Sequence, residues 1–390
     1  MGIKIELSER LDRLPPYLFV EIDRAKKKAR EEGKDIIDLG VGDPDQPTPR
    51  FIIDALHKSS LDPSTHKYAL DKGLPDLRIA IAEWYKSRFG VDLDPDREIL
   101  PLIGSKEGIA HIPLAFINKG DIGLVPDPCY PPYNSSIIFA GGEPYKLPLL
   151  EKNSFLPDLH HIKPHVLGKA KLMFLNYPNN PTSAVCDRSF FSKVVKFATK
   201  NNIIVCHDAA YSELSFDGLK APSFLEADGA KEVGIEFHSF SKIFNMTGWR
   251  LGFVSGNAKI VGALSKVKSN IDSGVFFAIQ WAGVAAFEGY DRHIAAALRV
   301  YEERRDCLVT GLRSLGWDVE KPKATFYVWL KVPPRYTSTL FAKELLDKCD
   351  IVATPGNGFG NNGEGYIRMA LTVDKKRIKE AVERIRKRLV

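Results

Sequence analysis

Residues 171–211 have the sequence KLMFLNYPNNPTSAVCDRSFFSKVVKFATKNNIIVCHDAAY. Two nearly continuous apolar runs, KLMFL and IIVC, lie on either side of RSFFSKVVKFATKN, which is predicted to be a helix. Continuous apolar runs are typical of strands that are buried on both faces of a sheet. The stretch therefore predicts a strand–helix–strand unit whose strands end in polar residues, Asn176 and Asp208.

The same alternation extends outward on both sides. Further predicted strands are EILPLIG, DIGLVPDP, KEVGIEFHSFSK and RLGFVSG, and further helices are PDLRIAIAEWYKSRFG and SKEGIAHIPLAFI. Strands that alternate with helices indicate an α/β fold with a mainly parallel sheet. Beyond about residue 274 come a long helical stretch, the short strands ATFYVWLKV, IVATPG and GYIRMALTV, and a last helix. We therefore predict a large domain at residues 46–282 and a smaller α+β domain formed by residues 1–45 and 283–390.

The composition excludes several classes of protein. The chain has 390 residues, of which 44% are hydrophobic and 27% are charged, as in ordinary soluble proteins of two or three domains. No apolar run approaches the ~20 residues that span a bilayer, and no signal peptide is visible, so we expect a cytoplasmic protein. The net charge of +6 is spread along the chain, which argues against nucleic-acid binding.

Cysteine and histidine give no sign of a metal site. The 5 cysteines are widely spaced and include no C-x-x-C pair, which argues against disulfides and zinc. His160, His161 and His165 lie close together, but Pro164 interrupts any helix that would align them. We expect no metal ion.

Polar and aromatic residues follow five of the predicted strands, at the edge where open α/β sheets bind ligands. Their types fit a single cofactor, pyridoxal 5'-phosphate. Lys242 supplies a primary amine for a Schiff base with the aldehyde, and Asp208 supplies a carboxylate that keeps the ring nitrogen protonated. Tyr211 and Asn180 are donors for the phenolic oxygen, and Tyr130 is an aromatic partner for the ring face.

The phosphate of this cofactor needs a cation and several donors. Arg250 offers a planar fork of N–H groups, and Ser239 and Ser241 offer hydroxyls. Ser105 and Lys106 open a predicted helix whose N-terminus attracts anions.

Three motifs, in this order, resemble those of the fold-type-I aminotransferases, and the resemblance covers essentially the whole chain. They are NYPNNPT at residues 176–182, HDAAYSEL at residues 207–214 and SFSKIFNMTGWRLGF at residues 239–253. The resemblance implies a large domain with a mainly parallel seven-stranded sheet, and a homodimer in which Tyr68 reaches the phosphate bound by the partner. One departure is Ser183, where the family usually has glycine.

The resemblance also implies residues that bind the substrate. Arg368, in GEGYIRMAL, corresponds to the arginine that holds the α-carboxylate through two parallel hydrogen bonds. Gly42 would line the site where a side chain would collide with substrate. Tyr130 and Asn180 would contact substrate as well as cofactor, and the freed Lys242 would move the α-proton, first as base and then as acid.

Within the family, the chain is most similar to the bacterial LL-diaminopimelate aminotransferases. The stretches that carry this resemblance are LPPYLFVEID, IIDLGVGDPDQPTP, NIDSGVFFAIQ, KATFYVWLKVP and GEGYIRMALT. It implies amino-group exchange between LL-diaminopimelate and 2-oxoglutarate in lysine biosynthesis, with Tyr17 and Lys106 facing the distal part of the substrate. Three alternatives remain open: an aspartate, alanine or aromatic aminotransferase, a lyase or decarboxylase that uses the same cofactor, and a regulator with a degenerate aminotransferase domain.

Overall fold

The computed structural model describes residues 3–15, 18–70 and 72–389. Its helices are α1 (Glu9–Asp12), α2 (Leu18–Glu31), α3 (Arg50–Ser60), α4 (Pro75–Phe89), α5 (Ser105–Phe116), α6 (Pro132–Phe139), α7 (Pro164–Leu167), α8 (Arg188–Asn201), α9 (Ala230–Val233), α10 (Phe240–Ile243), α11 (Ala258–Ser269), α12 (Phe277–Glu288), α13 (Tyr290–Arg313), α14 (Ser338–Cys349) and α15 (Lys375–Arg388). Its strands are β1 (Ile37–Asp38), β2 (Ile99–Leu102), β3 (Ile122–Asp127), β4 (Glu143–Pro148), β5 (Ala170–Asn176), β6 (Ile204–Asp208), β7 (Gly234–Ser239), β8 (Gly252–Gly256), β9 (Tyr327–Lys331), β10 (Ile351–Val352), β11 (Thr354–Pro355) and β12 (Tyr366–Ala370).

A seven-stranded sheet with the order β2-β8-β7-β6-β5-β3-β4 forms the centre of the protein. All of its strands run parallel except β8, which is antiparallel to both neighbours. Nearly every residue of β5, β6 and β7 is buried, as their apolar sequences predict. The predicted fold class, an α/β protein with a mainly parallel seven-stranded sheet, is confirmed.

Two smaller sheets lie outside this one. Strand β1 pairs in parallel with β10, and β11, β12 and β9 form an antiparallel sheet. The first pairing joins the N-terminal part of the chain to its C-terminal part, as a small domain built from both ends would require. The domain boundaries at residues 45/46 and 282/283 stay a prediction.

The helix α8 shows how local sequence sets the ends of these elements. Asp187 caps its N-terminus, where the Asp187 carboxylate accepts a hydrogen bond of 2.8 Å from the Phe190 N–H. At the other end, Asn202 takes the left-handed conformation that commonly ends a helix. The buried face between these ends carries Phe191 and Val194, so α8 packs its apolar stripe against the sheet core.

The long helical stretch predicted near the end of the large domain is two helices. It divides at Gly289 into α12 and α13. A side chain at Gly289 would run into the ring of Phe51, so the break also lets α3 approach closely. None of the helices within the described residues combines the length and the apolar character needed to cross a membrane.

Candidate active site

A cavity of about 250 Å³ opens at the carboxyl ends of β5, β6 and β7. It is lined by Val41, Gly42, Ser105, Tyr130, Asn176, Asn180, Asp208, Ala210, Tyr211, Ser239, Lys242, Tyr327 and Arg368. Nine of these 13 residues are among those predicted from sequence. The structure therefore brings most of the predicted site together, as the position of the strand ends requires.

Lys242 is the third residue of α10, which follows β7 directly. Ser239 caps this short helix by accepting a hydrogen bond of 3.2 Å from the Ser241 N–H. The Lys242 ammonium donates to the carbonyl oxygen of Gly42 over 3.1 Å. Lys242 therefore lies between the end of the large sheet and the segment that contains Gly42.

The electrostatic surroundings of Lys242 favour a neutral amine. Burial is the largest influence and lowers the pKa of Lys242 from 10.5 to about 8. The nearby positive charges of Arg368 and Arg250 lower it further, while the carboxylates of Asp43 and Asp208 oppose the shift. An amine with this pKa is partly unprotonated near neutral pH, as a nucleophile or general base must be.

Asp208 ends β6 and is buried. Its carboxylate accepts a hydrogen bond of 2.7 Å from the Tyr133 hydroxyl and one of 3.2 Å from the Ala210 N–H. Burial raises the pKa of Asp208, and the hydrogen bond from Tyr133 partly opposes this rise. A buried carboxylate of this kind gains most from a cationic partner, so a protonated ring nitrogen would suit it.

Two asparagines shape the loop after β5. The Asn176 side chain donates to the Asp208 carbonyl oxygen over 2.7 Å and accepts from the Asn180 N–H over 2.7 Å. These bonds turn the Asn180 side chain toward the cavity. Next to it, the hydroxyls of Tyr211 and Tyr327 form a hydrogen bond of 3.0 Å.

Arg368 lies on β12 with its guanidinium fully enclosed by protein. It donates to Asn180 Oδ1 and to the Gly40 carbonyl oxygen, each over 2.8 Å. The guanidinium also lies 4.1 Å from the ring centre of Tyr327 and 4.7 Å from that of Phe359. These contacts fix the plane of the guanidinium, and a fixed plane is what two parallel hydrogen bonds to a carboxylate require.

An anion-binding corner lies where β2 meets α5. Gly104 precedes α5 with a φ of 72°, and a side chain there would collide with the Arg250 guanidinium. A side chain on Gly252 would likewise collide with the N–H of Ser105. The two glycines thus let Arg250 and the N-terminus of a helix approach each other, and both attract anions. Ser241, another predicted donor to the phosphate, is buried.

The structure does not bring every predicted residue to the cavity. Lys106 is exposed on the first turn of α5, and 77% of the Tyr68 surface is exposed in the single chain. Arg250 lies at the anion-binding corner and Ser241 is buried, and neither residue lines the cavity. Tyr17 lies outside the described residues.

Sequence reasoning missed a buried network next to Asp208. Glu236, on β7, accepts hydrogen bonds from His207 over 2.7 Å, from His238 over 2.9 Å and from Tyr85 over 2.8 Å. Burial by itself raises the pKa of Glu236, but the bonds from the two histidines outweigh it and hold that pKa well below its usual range. A charged Glu236 therefore lies close to the carboxyl ends of β6 and β7, the strands that carry Asp208 and Ser239.

A comparison with known protein families agrees with these motifs and this fold. The family described as aminotransferase class I and II matches residues 34–385. The chain belongs to this aminotransferase family. The predicted membership is therefore confirmed over nearly the whole length of the chain.

Three similar proteins illustrate where this aminotransferase lies within the family. It is 57% identical over 380 residues to a Moorella thermoacetica protein named LL-diaminopimelate aminotransferase, with 97% of each chain covered. A Syntrophobacter fumaroxidans protein of the same name is 58% identical over 380 residues, covering 97% of this chain and 98% of the relative. The apo structure of BacF from Bacillus subtilis is 44% identical, with a TM-score of 0.95 over 99% of this chain and 98% of that one.

The structure explains how this aminotransferase accommodates its departure from the family pattern. Ser183 has a φ of 60°, in the left-handed region that glycine enters without strain. The Ser183 hydroxyl lies 2.8 Å from the Thr325 hydroxyl and donates to the Tyr327 carbonyl oxygen over 2.8 Å. These hydrogen bonds offset the strain and tie the loop after β5 to the start of β9.

Proposed function

We propose that the protein is a pyridoxal-phosphate-dependent aminotransferase that exchanges an amino group between LL-2,6-diaminopimelate and 2-oxoglutarate. The observation that carries this proposal is that Lys242, Asp208 and Arg368 line one cavity although they come from three separate elements. An amine, a buried carboxylate and an immobilised guanidinium are the groups that hold the aldehyde, the ring nitrogen and the substrate carboxylate.

The donor set fits the cofactor at each of its functional groups. Lys242 would bind the aldehyde carbon, Asp208 the ring nitrogen, and Tyr211 and Asn180 the phenolic oxygen. The anion-binding corner, with Arg250, would take the phosphate together with Ser105, Lys106, Ser239 and Ser241. When bound, the cofactor supplies an electron-withdrawing pyridinium that accepts the electron pair released as the substrate Cα–H bond breaks.

Lys242 has the properties of the group that moves the proton. With a pKa of about 8, its amine is close to the pH at which general acid–base catalysis is most efficient. Its amine would take the proton from the substrate Cα as a base and, as the ammonium, would deliver it to the aldehyde carbon of the cofactor. Asp43 and Arg368 lie near enough to influence the charge of Lys242 while it does so.

Arg368 would hold the α-carboxylate of the substrate. Its guanidinium is already oriented by Tyr327, Asn180 and the Gly40 carbonyl, so little conformational entropy is lost when the carboxylate binds. A carboxylate fixed in this way places the Cα–H bond over the ring and keeps the carboxylate in place, which favours transamination over decarboxylation.

The choice of LL-diaminopimelate rests on the relatives that bear this name. They are 57% and 58% identical to the chain and match along almost its entire length. The distal amino-acid group of this substrate needs both hydrogen-bond donors and acceptors, and we assign Tyr17 and Lys106 to this end of the site. Gly42, Tyr130 and Asn180 would contact the part of the substrate near the cofactor.

We also propose that the enzyme is a cytoplasmic homodimer. Tyr68, Leu70, Ile271 and Phe276 are large exposed residues. The segments that carry them are neighbours, because the ring of His66 lies 6.3 Å from that of Phe276. Exposed apolar residues grouped in this way are typical of a subunit interface, and we propose that Tyr68 reaches the phosphate bound by the partner. All five cysteines are free thiols, which suits a reducing compartment.

A panel of amino donors tests the substrate. Purified protein loaded with pyridoxal 5'-phosphate is given LL-diaminopimelate, aspartate, alanine or phenylalanine with 2-oxoglutarate, and glutamate formation is measured. We expect turnover with LL-diaminopimelate and at least ~10²-fold lower kcat/KM with the others, because the site would be left with unpaired polar groups. The Lys242→Ala variant is the control and should be inactive. Rapid aspartate turnover without diaminopimelate turnover would overturn the substrate assignment, and release of carbon dioxide would indicate a decarboxylase.

Mixed subunits test the interface. Each Lys242→Ala subunit keeps its Tyr68, and each Tyr68→Ala subunit keeps its Lys242. If Tyr68 serves the partner's site, mixing the two variants creates dimers with one intact site and restores activity. The matched control mixes Tyr68→Ala with the double variant Lys242→Ala/Tyr68→Ala, where no intact site can form. Equal activity in both mixtures would refute the exchange of Tyr68.

A further inference from the structure

Tyr327 lines the cavity, but neither the sequence motifs nor the proposed contacts to the cofactor give it a role. It begins β9 and lines the same cavity as Asn180 and Tyr211. Its ring is buried, and its hydroxyl lies 3.0 Å from the hydroxyl of Tyr211. Tyr327 thus makes side-chain contact with one of the two proposed donors to the cofactor.

The direction of this hydrogen bond follows from the task of Tyr211. Each hydroxyl has one proton to donate. If Tyr211 uses its proton for the phenolic oxygen of the cofactor, it can only accept from Tyr327. The bond then runs from Tyr327 to Tyr211 and onward to the cofactor, and donors in such a chain polarise one another. Burial raises the pKa of Tyr211, so its hydroxyl stays protonated and able to donate.

The ring of Tyr327 has a second contact, with Arg368. The guanidinium lies 4.1 Å from the centre of this ring and 4.7 Å from the centre of the Phe359 ring. The backbone that carries the ring is also held in place, because the Tyr327 carbonyl accepts from the Ser183 hydroxyl and the Tyr327 N–H donates to the Thr325 hydroxyl over 3.0 Å. One side chain therefore contacts both the cofactor donor and the carboxylate-binding group.

Gly42 provides the space that the Tyr327 hydroxyl needs. A methyl group built on Gly42 would lie only 2.0 Å from this hydroxyl oxygen. The lack of a side chain at Gly42 therefore serves Tyr327 directly, in addition to the room for substrate expected from the sequence. Gly42 and the Tyr327 hydroxyl therefore lie directly against each other.

We propose that Tyr327 is a positioning residue of this active site, with a hydroxyl that donates to Tyr211 and a ring that holds the guanidinium of Arg368. This inference rests on the proposed function, since Tyr327 acts through the groups that would bind cofactor and substrate. The two contacts make separable contributions, one through the hydroxyl to the cofactor and one through the ring to the substrate carboxylate.

Spectroscopic titration of the loaded enzyme separates these contributions. Tyr327→Phe removes the hydroxyl and keeps the ring. We expect the pH midpoint of the Lys242-bound cofactor's absorbance to rise by about half a unit, since a weaker donor at Tyr211 stabilises the negative phenolic oxygen less. We expect kcat to fall several-fold and KM for LL-diaminopimelate to stay within about twofold, because the ring still supports Arg368. Tyr327→Ala, which removes the ring as well, should raise KM by about tenfold or more.

A double-mutant cycle shows whether the hydroxyl acts through Tyr211. In a Tyr211→Phe background, Tyr327→Phe should shift the titration no further. Tyr366→Phe is the matched control, because Tyr366 lies on the neighbouring strand β12 and its hydroxyl bonds to Glu151, outside the cavity. It should leave the titration unchanged. Gly42→Ala, which pushes against the hydroxyl from the other side, should move the midpoint in the same direction as Tyr327→Phe.

The outcomes distinguish this inference from the function on which it rests. If the unaltered protein shows no absorbance from cofactor bound to Lys242, the proposed function is overturned. If the unaltered protein shows this absorbance and Tyr327→Phe leaves the midpoint in place, only the role of Tyr327 is overturned. A shift of equal size in the Tyr211→Phe background would also overturn it, because the effect would then not pass through Tyr211.

Discussion

The charge of Lys242 in the cofactor-free protein is the most direct test of the site's electrostatics. Burial lowers the pKa of this lysine from 10.5 to about 8. At pH 8, about half of the Lys242 side chains should therefore be neutral, against roughly 0.3% of an unperturbed lysine. The nucleophilic amine is thus ~150-fold more abundant at Lys242 than at a solvated lysine.

Competitive acetylation with trace acetic anhydride measures this difference for single lysines. The cofactor-free protein is labelled between pH 6 and 11, and the peptides that contain Lys242 and the exposed Lys259 are quantified by mass spectrometry. We expect Lys242 to titrate near pH 8 and Lys259 to serve as the solvated reference. The Asp43→Asn variant removes an exposed carboxylate that favours the ammonium, so its Lys242 should titrate at lower pH than in the unaltered protein. A Lys242 midpoint close to 10.5, or an upward shift in Asp43→Asn, would refute the reasoning.

The same shift has a consequence for stability, with a defined sign. Between pH 8 and 10.5 the unfolded chain binds the proton that folded Lys242 has released, so the free energy of unfolding should rise with pH across this window. Below pH 8 both states are protonated, and Lys242 adds no pH dependence. The full contribution is no more than about 3 kcal/mol. Denaturant unfolding of the cofactor-free protein and of its Lys242→Met variant isolates the contribution of Lys242. The other groups that titrate between pH 8 and 10.5 are common to both proteins.

Three further predictions concern the other charged groups. Asp208→Asn keeps the hydrogen bond from Tyr133 but removes the charge, so kcat/KM for LL-diaminopimelate should fall by about 10²–10³-fold in steady-state assays, and a fall below tenfold would contradict the assigned role. Arg368→Lys replaces a planar fork by a point charge and should raise KM for both substrates by about tenfold or more, whereas an unchanged KM would place the carboxylate elsewhere. Glu236→Gln breaks a buried hydrogen-bonded charge network and should cost about 3 kcal/mol of unfolding free energy at pH 7. Since the ionised Glu236 is stabilised in the folded state, that difference should shrink as pH falls below 4.5 in denaturant titrations, and a constant difference would argue against it.

Much of the fold was predictable because its strands are buried on both faces. The apolar runs of β5, β6 and β7 do not follow the period of an amphipathic helix. Each of these strands ends at a residue that lines the cavity. Strand β4 was not identified, since it lies at the edge of the sheet, is mostly half-exposed and contains two prolines, Pro144 and Pro148. An edge strand of this composition lacks the apolar signal on which the prediction depends.

The residues that line the cavity were predictable for a different reason. The limit of that reason explains which residues were missed. Lys242, Asp208 and Asn180 lie in short motifs in which the chemical group and the strand that positions it are adjacent in sequence. Tyr133 and Tyr327 act through contacts to residues 75 and 116 positions away, and no local pattern encodes such pairs. What the sequence did contain was Gly42, a glycine with no turn to explain it. Because a side chain at Gly42 would collide with the Tyr327 hydroxyl, the absent side chain was itself a signal that a bulky polar group on another segment approaches closely. The part of the site that sequence reasoning missed is therefore the part contributed by β9, where packing between distant segments, rather than a motif, sets the position of the chemical group.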